Sequence, residues 1–232
     1  MYCEFSETQF LFCFLRELLN KNHQISMPFI PTQRKEKTLG YDSRLENGFH
    51  VFFIQFKVPE SRISLKAKYY KDFNSLPYYC FKIHNKSNNN QHQTLTQLAK
   101  KNPGSVYYCT PAYNTYIELE KSFDSNQIII NSKFIDCGHK NLQNLSTGDH
   151  CITFQKNCNK GYIHSNKSEV DMLDYNTIVE KSMYISDEEE FVSRIKETEV
   201  NIGEASNICE VSEVLLKKYN IILFAIPKRI NI

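Results

Sequence analysis

Apolar residues recur at helical spacing near the start of the chain. Phe10, Leu11, Phe14, Leu15 and Leu18 line one side of a 3.6-residue period, and Ser6 followed by Gln9 is an N-cap signature. These positions predict a helix over about Glu7–Asn20. A short run, Ile25–Ile30, with Pro28 inside it and Pro31 beyond, reads as a strand, and the polar stretch Thr32–Thr38 as a loop. Two strand-like runs, Tyr41–Glu46 and Phe49–Val58, then flank Asn47-Gly48, a pair that accepts the positive φ of a type I′ turn, so a hairpin is expected. The second run is apolar on both faces until Gln55 and Lys57, the pattern of a central strand covered from both sides.

Further along, Tyr78–His84 is strand-like, Gln91–Lys101 is a helix with Leu95, Leu98 and Ala99 inward, and Asn102-Pro103-Gly104 ends it before a buried strand at Val106–Thr110. Ile128–Ile130 and Cys151–Phe154 are additional strand candidates. Beyond about residue 168 the texture changes: Ser186–Glu189 opens a helix running to about Glu197, a second helix is expected near Ile208–Tyr219, and Ile221–Ile226 is a last apolar strand. Alternating strands and helices give an α/β class. The division expected is a main domain over 1–167 and an acidic, mainly helical extension over 168–232 that ends in a strand.

Composition narrows the function classes. With 232 residues and 41% apolar side chains the chain can bury a core. No run of 18 or more apolar residues exists, and the opening residues lack a basic, apolar secretory signal, so a cytoplasmic location without a membrane span is expected. The eight cysteines, several inside apolar runs, are then expected to be reduced core residues. The net charge of +2 is uneven: residues 1–168 are basic overall and residues 169–232 acidic, as in a protein that binds polyanions. Phosphate-binding, dinucleotide-binding and serine-hydrolase signatures are absent.

Chemistry concentrates on the strand Phe49–Val58. Residues two apart share a face, so Gln55 and Lys57 point the same way, and the hairpin would bring Asp42 to the same end. A carboxylate and an amide oxygen suit Mg²⁺, and a lysine suits the charge that develops on a phosphate. Each residue also has a plainer role: strand shaping for Asp42, a satisfied core amide for Gln55, a snorkelling cation for Lys57.

Gly40-Tyr41-Asp42 followed by Gln55-Phe56-Lys57 resembles the PD-(D/E)xK restriction-endonuclease-like superfamily. It is most similar to the Mrr-like branch, in which Gln replaces the second acid. The similarity spans roughly residues 1–112. There is no Pro before Asp42, and the second acid is missing. The resemblance implies a mixed central sheet flanked by helices and an Mg²⁺- or Mn²⁺-dependent endonuclease that cuts DNA, of the kind that acts in restriction, repair or antiviral defence. It implies nucleic acid as the partner, with a companion defence protein or a second copy of the chain as further partners. A catalytically silent module of the same fold, binding nucleic acid or a protein, is the alternative. In the superfamily a third acid often sits on the leading helix. Glu7 matches, although helical spacing places it among Phe10, Phe14 and Leu18, and a first-turn acid also complements the helix dipole. Glu17 and Glu36 are the substitutes. Catalytic residues are thus expected to be Asp42, Gln55, Lys57 and Glu7, with Asp42, Gln55 and Glu7 holding the metal.

Two secondary signals remain. Arg62, Lys66, Lys68 and Lys71, interleaved with Tyr69 and Tyr70, suit phosphate contacts and stacking, and His92 would add a phosphate contact. Cys137, His139, His150, Cys151, Cys158 and His164 crowd together without the spacing of a zinc site.

Overall fold

The structure, a computed structural model, describes residues 1–21, 49–73, 75–85 and 91–227, with backbone alone at Lys21 and Pro227. Its elements in chain order are α1 (Glu7–Lys21), β1 (Phe49–Phe56), β2 (Glu60–Arg62), α2 (Tyr70–Phe73), β3 (Tyr78–Asn85), α3 (Gln91–Lys101), β4 (Val106–Pro111), α4 (Tyr116–Asp124) and β5 (Ser132–Asp136). There follow α5 (Lys140–Gln143), β6 (Gly148–Phe154), β7 (Lys160–Ile163), β8 (Ser168–Asp171), α6 (Tyr175–Lys181), β9 (Met183–Ile185), α7 (Glu188–Lys196), α8 (Ile208–Tyr219) and β10 (Ile222–Pro227). The fold is α/β, as expected. The strand expected at Ile25–Ile30, the run at 41–46, Glu36 and Asp42 lie outside the described residues.

One sheet is ordered β10-β1-β4-β5, with β9 also on β1; the second, antiparallel throughout, is ordered β2-β3-β6-β7-β8. β1 is apolar on both faces, as a strand covered from both sides is, and both its edges are paired. Along one edge β10 pairs with Phe49–Ile54; along the other, β9 pairs with Phe49–Val51 and β4, in parallel, with Phe53–Phe56. The hairpin expected across Asn47-Gly48 lies outside the described residues. Two strands from the far end of the chain, β9 and β10, stand on opposite edges of β1, with β4 on the same edge as β9. Both β9 and β10 come from the stretch expected as an extension, and both pair with β1.

Two apolar clusters sandwich this sheet. Phe52, Ile54 and Phe56 of β1 pack with Phe10, Phe14 and Leu18 of α1, Leu119 of α4, Ile178 of α6 and Phe224. The opposite side chains, Phe49, Val51 and Phe53, join Leu95 and Leu98 of α3, Phe191 and Ile195 of α7, and Val211 and Leu215 of α8. That second cluster also takes Tyr79, Phe81 and Ile83 of β3 with Ile152 and Phe154 of β6, so one face of the antiparallel sheet closes the same core. Burial on this scale stabilises by about 25 cal/mol for each Å² of apolar surface removed from water.

Ser6 caps α1, its Oγ accepting from the Gln9 backbone N–H at 3.1 Å. The Ile128–Ile130 run is a turn, not a strand: Ile128 and Ile129 are buried, Ile130 is exposed, and the Ile129 N–H is satisfied by the Glu17 carboxylate at 3.1 Å. The cysteines are not all free, because Cys80 and Cys151 form a disulfide between β3 and β6. Both lie on the same face of neighbouring strands, with Cα atoms 6.4 Å apart, inside the range a disulfide bridges.

Candidate active site

Three elements end at one point. β1 and β4 run parallel, and Lys57 follows directly on the last residue of β1, its backbone N–H donating to Cys109 O at 2.8 Å. The Lys57 side chain meets the beginnings of two helices. Its Nζ donates to Gln91 Oε1, the first residue of α3, at 3.2 Å, and stands 3.8 Å from Glu7 Oε1, the first residue of α1. Gln91 is anchored in turn, its Nε2 donating to Tyr219 O at the end of α8, 2.8 Å away.

The electrostatics follow from burial. The Lys57 side chain is 13% exposed, and removal from water pushes its ammonium below the usual lysine range, an effect the neighbouring Glu7 carboxylate opposes. Glu7 is 37% exposed, not packed among the phenylalanines of α1, because a first-turn side chain projects beyond the end of the buried stripe. Glu17 is elsewhere, buried against the Ile128–Ile129 turn, and is no substitute for it.

Gln55 lies on the α3 side of β1, in register with Tyr108 of β4. Its Nε2 donates to Phe56 O at 3.0 Å, while its Oε1 is buried with no hydrogen-bond partner. An unpartnered buried carbonyl oxygen is costly and asks for an explanation. The expected site is thus assembled in part: Glu7 and Lys57 meet, Gln55 sits on the strand leading to them, and Asp42 is outside the described residues. Gln91 does not stand out in the sequence; an amide at a helix start carries no signal of its own until the fold sets it beside Lys57. Among the described residues no three His, Cys, Asp or Glu side chains form a metal-holding group.

His92 is not a nucleic-acid contact. It is buried, with Nδ1 2.9 Å from Tyr108 Oη and Nε2 3.0 Å from Leu142 O, and burial lowers its pKa. The basic stretch divides. Arg62, Lys66 and Lys68 line a cavity of about 570 Å³ together with Lys82 of β3, which sequence reasoning missed, whereas Lys71 is exposed on α2 outside it. Arg62 is also paired with Glu60 at 2.6 Å. The Cys/His-rich residues scatter: Cys137 is buried in the core, His139 caps α5, His150 bonds Ser165 and Ser146 O, and Cys151 is in the disulfide.

Comparison with protein-family models, with curated proteins and with solved structures yields no match to this chain.

Proposed function

We propose that the chain is a metal-dependent endonuclease of restriction-endonuclease-like arrangement that hydrolyses phosphodiester bonds, foremost in DNA. The observation that carries this reading is the meeting of Glu7, Lys57 and Gln91 at the carboxyl end of β1. In open α/β sheets this is where ligands bind, and here two helix N-termini add their positive ends to it. The succession α1, β1, α3, β4, with β1 and β4 parallel, supports the same reading.

The donor chemistry fits a hard divalent cation. The Glu7 carboxylate and the orphaned Gln55 Oε1 are oxygen ligands, and Asp42 would supply the further carboxylate. Mg²⁺ or Mn²⁺, when bound, would acidify a water and neutralise charge on the phosphate. Lys57 keeps its ammonium where negative charge on a scissile phosphate would grow, in surroundings dry enough to strengthen that attraction. Gln91 fixes the direction of the Lys57 side chain, and through Tyr219 it ties the site to α8. A role as effector of a defence system, with a companion protein or a second copy of the chain, belongs to the same proposal.

Supercoiled plasmid incubated with Mg²⁺ or Mn²⁺ tests it. Nicking and linearisation are expected for the wild type and not for Glu7→Gln or Asp42→Ala. Equal cutting by all three, or none by the wild type with either metal, rejects the reading.

A silent binding module is favoured by one observation. The Lys57 ammonium is already engaged by both Gln91 and Glu7, as a purely structural cation would be. Plasmid bound but never cut would select it.

A further inference from the structure

The antiparallel sheet has a second face. Its core side carries Tyr79, Phe81 and Ile83, so Tyr78, Cys80 and Lys82 of β3 point the other way, with Cys151 and Thr153 of β6 beside them. Residues 63–73 cover this face and leave the cavity of about 570 Å³ lined by Arg62, Lys66, Lys68 and Lys82, within the roughly 300–1,000 Å³ typical of small-molecule sites. None of Glu7, Lys57 and Gln91 lines it, so it is distinct from the proposed nuclease centre.

Two properties define what it would accept. Those four cationic side chains are joined by Met1, whose α-ammonium donates to Ser61 O at 2.6 Å, with no carboxylate among the described lining residues, so the cavity selects anions. Ile63, Ala67 and Tyr78 are also among the lining residues and give an apolar wall for a ligand body larger than a bare anion.

The cover is held in place before any ligand arrives. The Tyr69 ring stacks on His164 with centroids 3.3 Å apart, the Tyr69 N–H donates to Tyr78 Oη at 3.3 Å, and Phe73 stacks on Tyr78 at 4.9 Å. His164 is itself fixed, its Nε2 2.6 Å from Thr153 Oγ1 and its Nδ1 3.7 Å from Asp72. A preformed site loses little ordering entropy on binding. Both tyrosines are committed to these contacts, so they shape the wall and do not offer a free stacking face.

We propose that this cavity is a binding site for a nucleoside phosphate, with Lys66, Lys68 and Lys82 on the phosphate and the apolar wall beside the nucleoside. The ligand is either a free mononucleotide or the phosphorylated end of a strand. Binding there requires no cleavage, so the site stands or falls separately from the nuclease reading.

The test is fluorescence anisotropy on the full chain in EDTA, with dye-labelled tetrathymidylate carrying a 5′-phosphate, a 3′-phosphate or neither. One phosphorylated form is expected to bind about tenfold tighter than the unphosphorylated strand, as charge-assisted hydrogen bonds of this kind provide. The double variant Lys68→Gln/Lys82→Gln, at two exposed positions, is expected to erase that difference. It should also reduce the slope of log affinity on log salt by about 0.7 for each phosphate no longer neutralised. Thymidine monophosphate that displaces the strand identifies a free nucleotide as sufficient, and a strand it cannot displace identifies the phosphorylated end. Equal binding of all three strands, a preference that survives the double variant, or inorganic phosphate competing as well as the nucleotide would each overturn the proposal.

Discussion

The Lys57 ammonium lies 3.8 Å from the Glu7 carboxylate, at a point where the end of a central strand meets the first turn of the leading helix. The pair is uneven: Lys57 is largely out of water and Glu7 is open to it. Burial lowers the Lys57 pKa and Glu7 raises it, with burial the larger effect. A reactive lysine is commonly tuned in this way.

That balance predicts a titration. Reductively methylated protein followed by ¹³C NMR should show one lysine, absent from the Lys57→Met spectrum, that deprotonates below the ordinary 10.5. In Glu7→Gln its midpoint should move lower still, because the attraction that opposes desolvation is gone. A Lys57 midpoint unchanged by Glu7→Gln would mean that the two side chains do not interact in solution.

Gln55 predicts a separation of stability from activity. Its Oε1 is buried without a partner, so Gln55→Leu gives up one hydrogen bond, from Nε2 to Phe56 O, and removes an unsatisfied acceptor. Urea unfolding should change by no more than about 1 kcal/mol, in either direction. Cleavage should nevertheless be lost if that oxygen is a metal ligand. A variant that keeps its activity would return Gln55 to the role of core amide.

His92 sets an acid limit on stability. Burial holds its folded pKa below 6.5, so as pH falls through 6.5 the unfolded chain takes up a proton that the folded chain refuses. Stability therefore falls with falling pH until the folded pKa is passed. His164, lowered chiefly by burial too, acts in the same direction. Melting temperature measured from pH 8 to pH 5 should decline, and less steeply in His92→Asn than in wild type; parallel curves would show that His92 is protonated equally in both states.

The seam between α1 and the β1 sheet rests on Phe14. Its ring makes edge or tilted contacts with Phe10, Phe56, Phe134 and Phe224, and so joins α1, β1, β5 and β10. Phe14→Ala should cost about 3–5 kcal/mol in denaturant unfolding. A loss under about 1 kcal/mol would mean that α1 does not pack here as described.

Periodicity made the long, amphipathic or doubly apolar elements legible. Phe10, Phe14 and Leu18 marked α1, the unbroken apolar run marked β1 as central, and the breaker Asn102-Pro103-Gly104 marked the end of α3. Gly104, at φ +70 with a Lys181 carbonyl oxygen 2.5 Å from where a Cβ would stand, shows why that breaker is a glycine. What β1 pairs with was not legible. The pairing of β1 with β9 and β10 joins residues far apart in sequence, and no short-range pattern encodes that. The three isoleucines at 128–130 have strand propensity yet form a turn, because Glu17 satisfies the Ile129 N–H and the core takes two of the side chains. β7 and β8 are too short and polar to announce themselves, while Thr115 and Glu118 spell the capping box of α4.

The site was legible as chemistry and not as surroundings. Gln55 and Lys57 stood out by residue type and spacing. Nothing in the sequence distinguished Gln91, which holds Lys57, from its neighbour His92, which is spent on Tyr108 and Leu142 in the core.

The central claim is that Lys57 serves phosphodiester cleavage, and single-turnover cutting of a labelled DNA duplex by wild type and by Lys57→Met addresses it most directly. Both proteins would first be matched for folding by circular dichroism, since methionine keeps the buried stem and removes only the charge. The account predicts Mg²⁺-dependent cleavage by the wild type, abolished by EDTA, and a rate at least about a hundredfold lower for Lys57→Met, the scale on which loss of one charge-stabilising group is felt. Cleavage at the same rate by both proteins would contradict it.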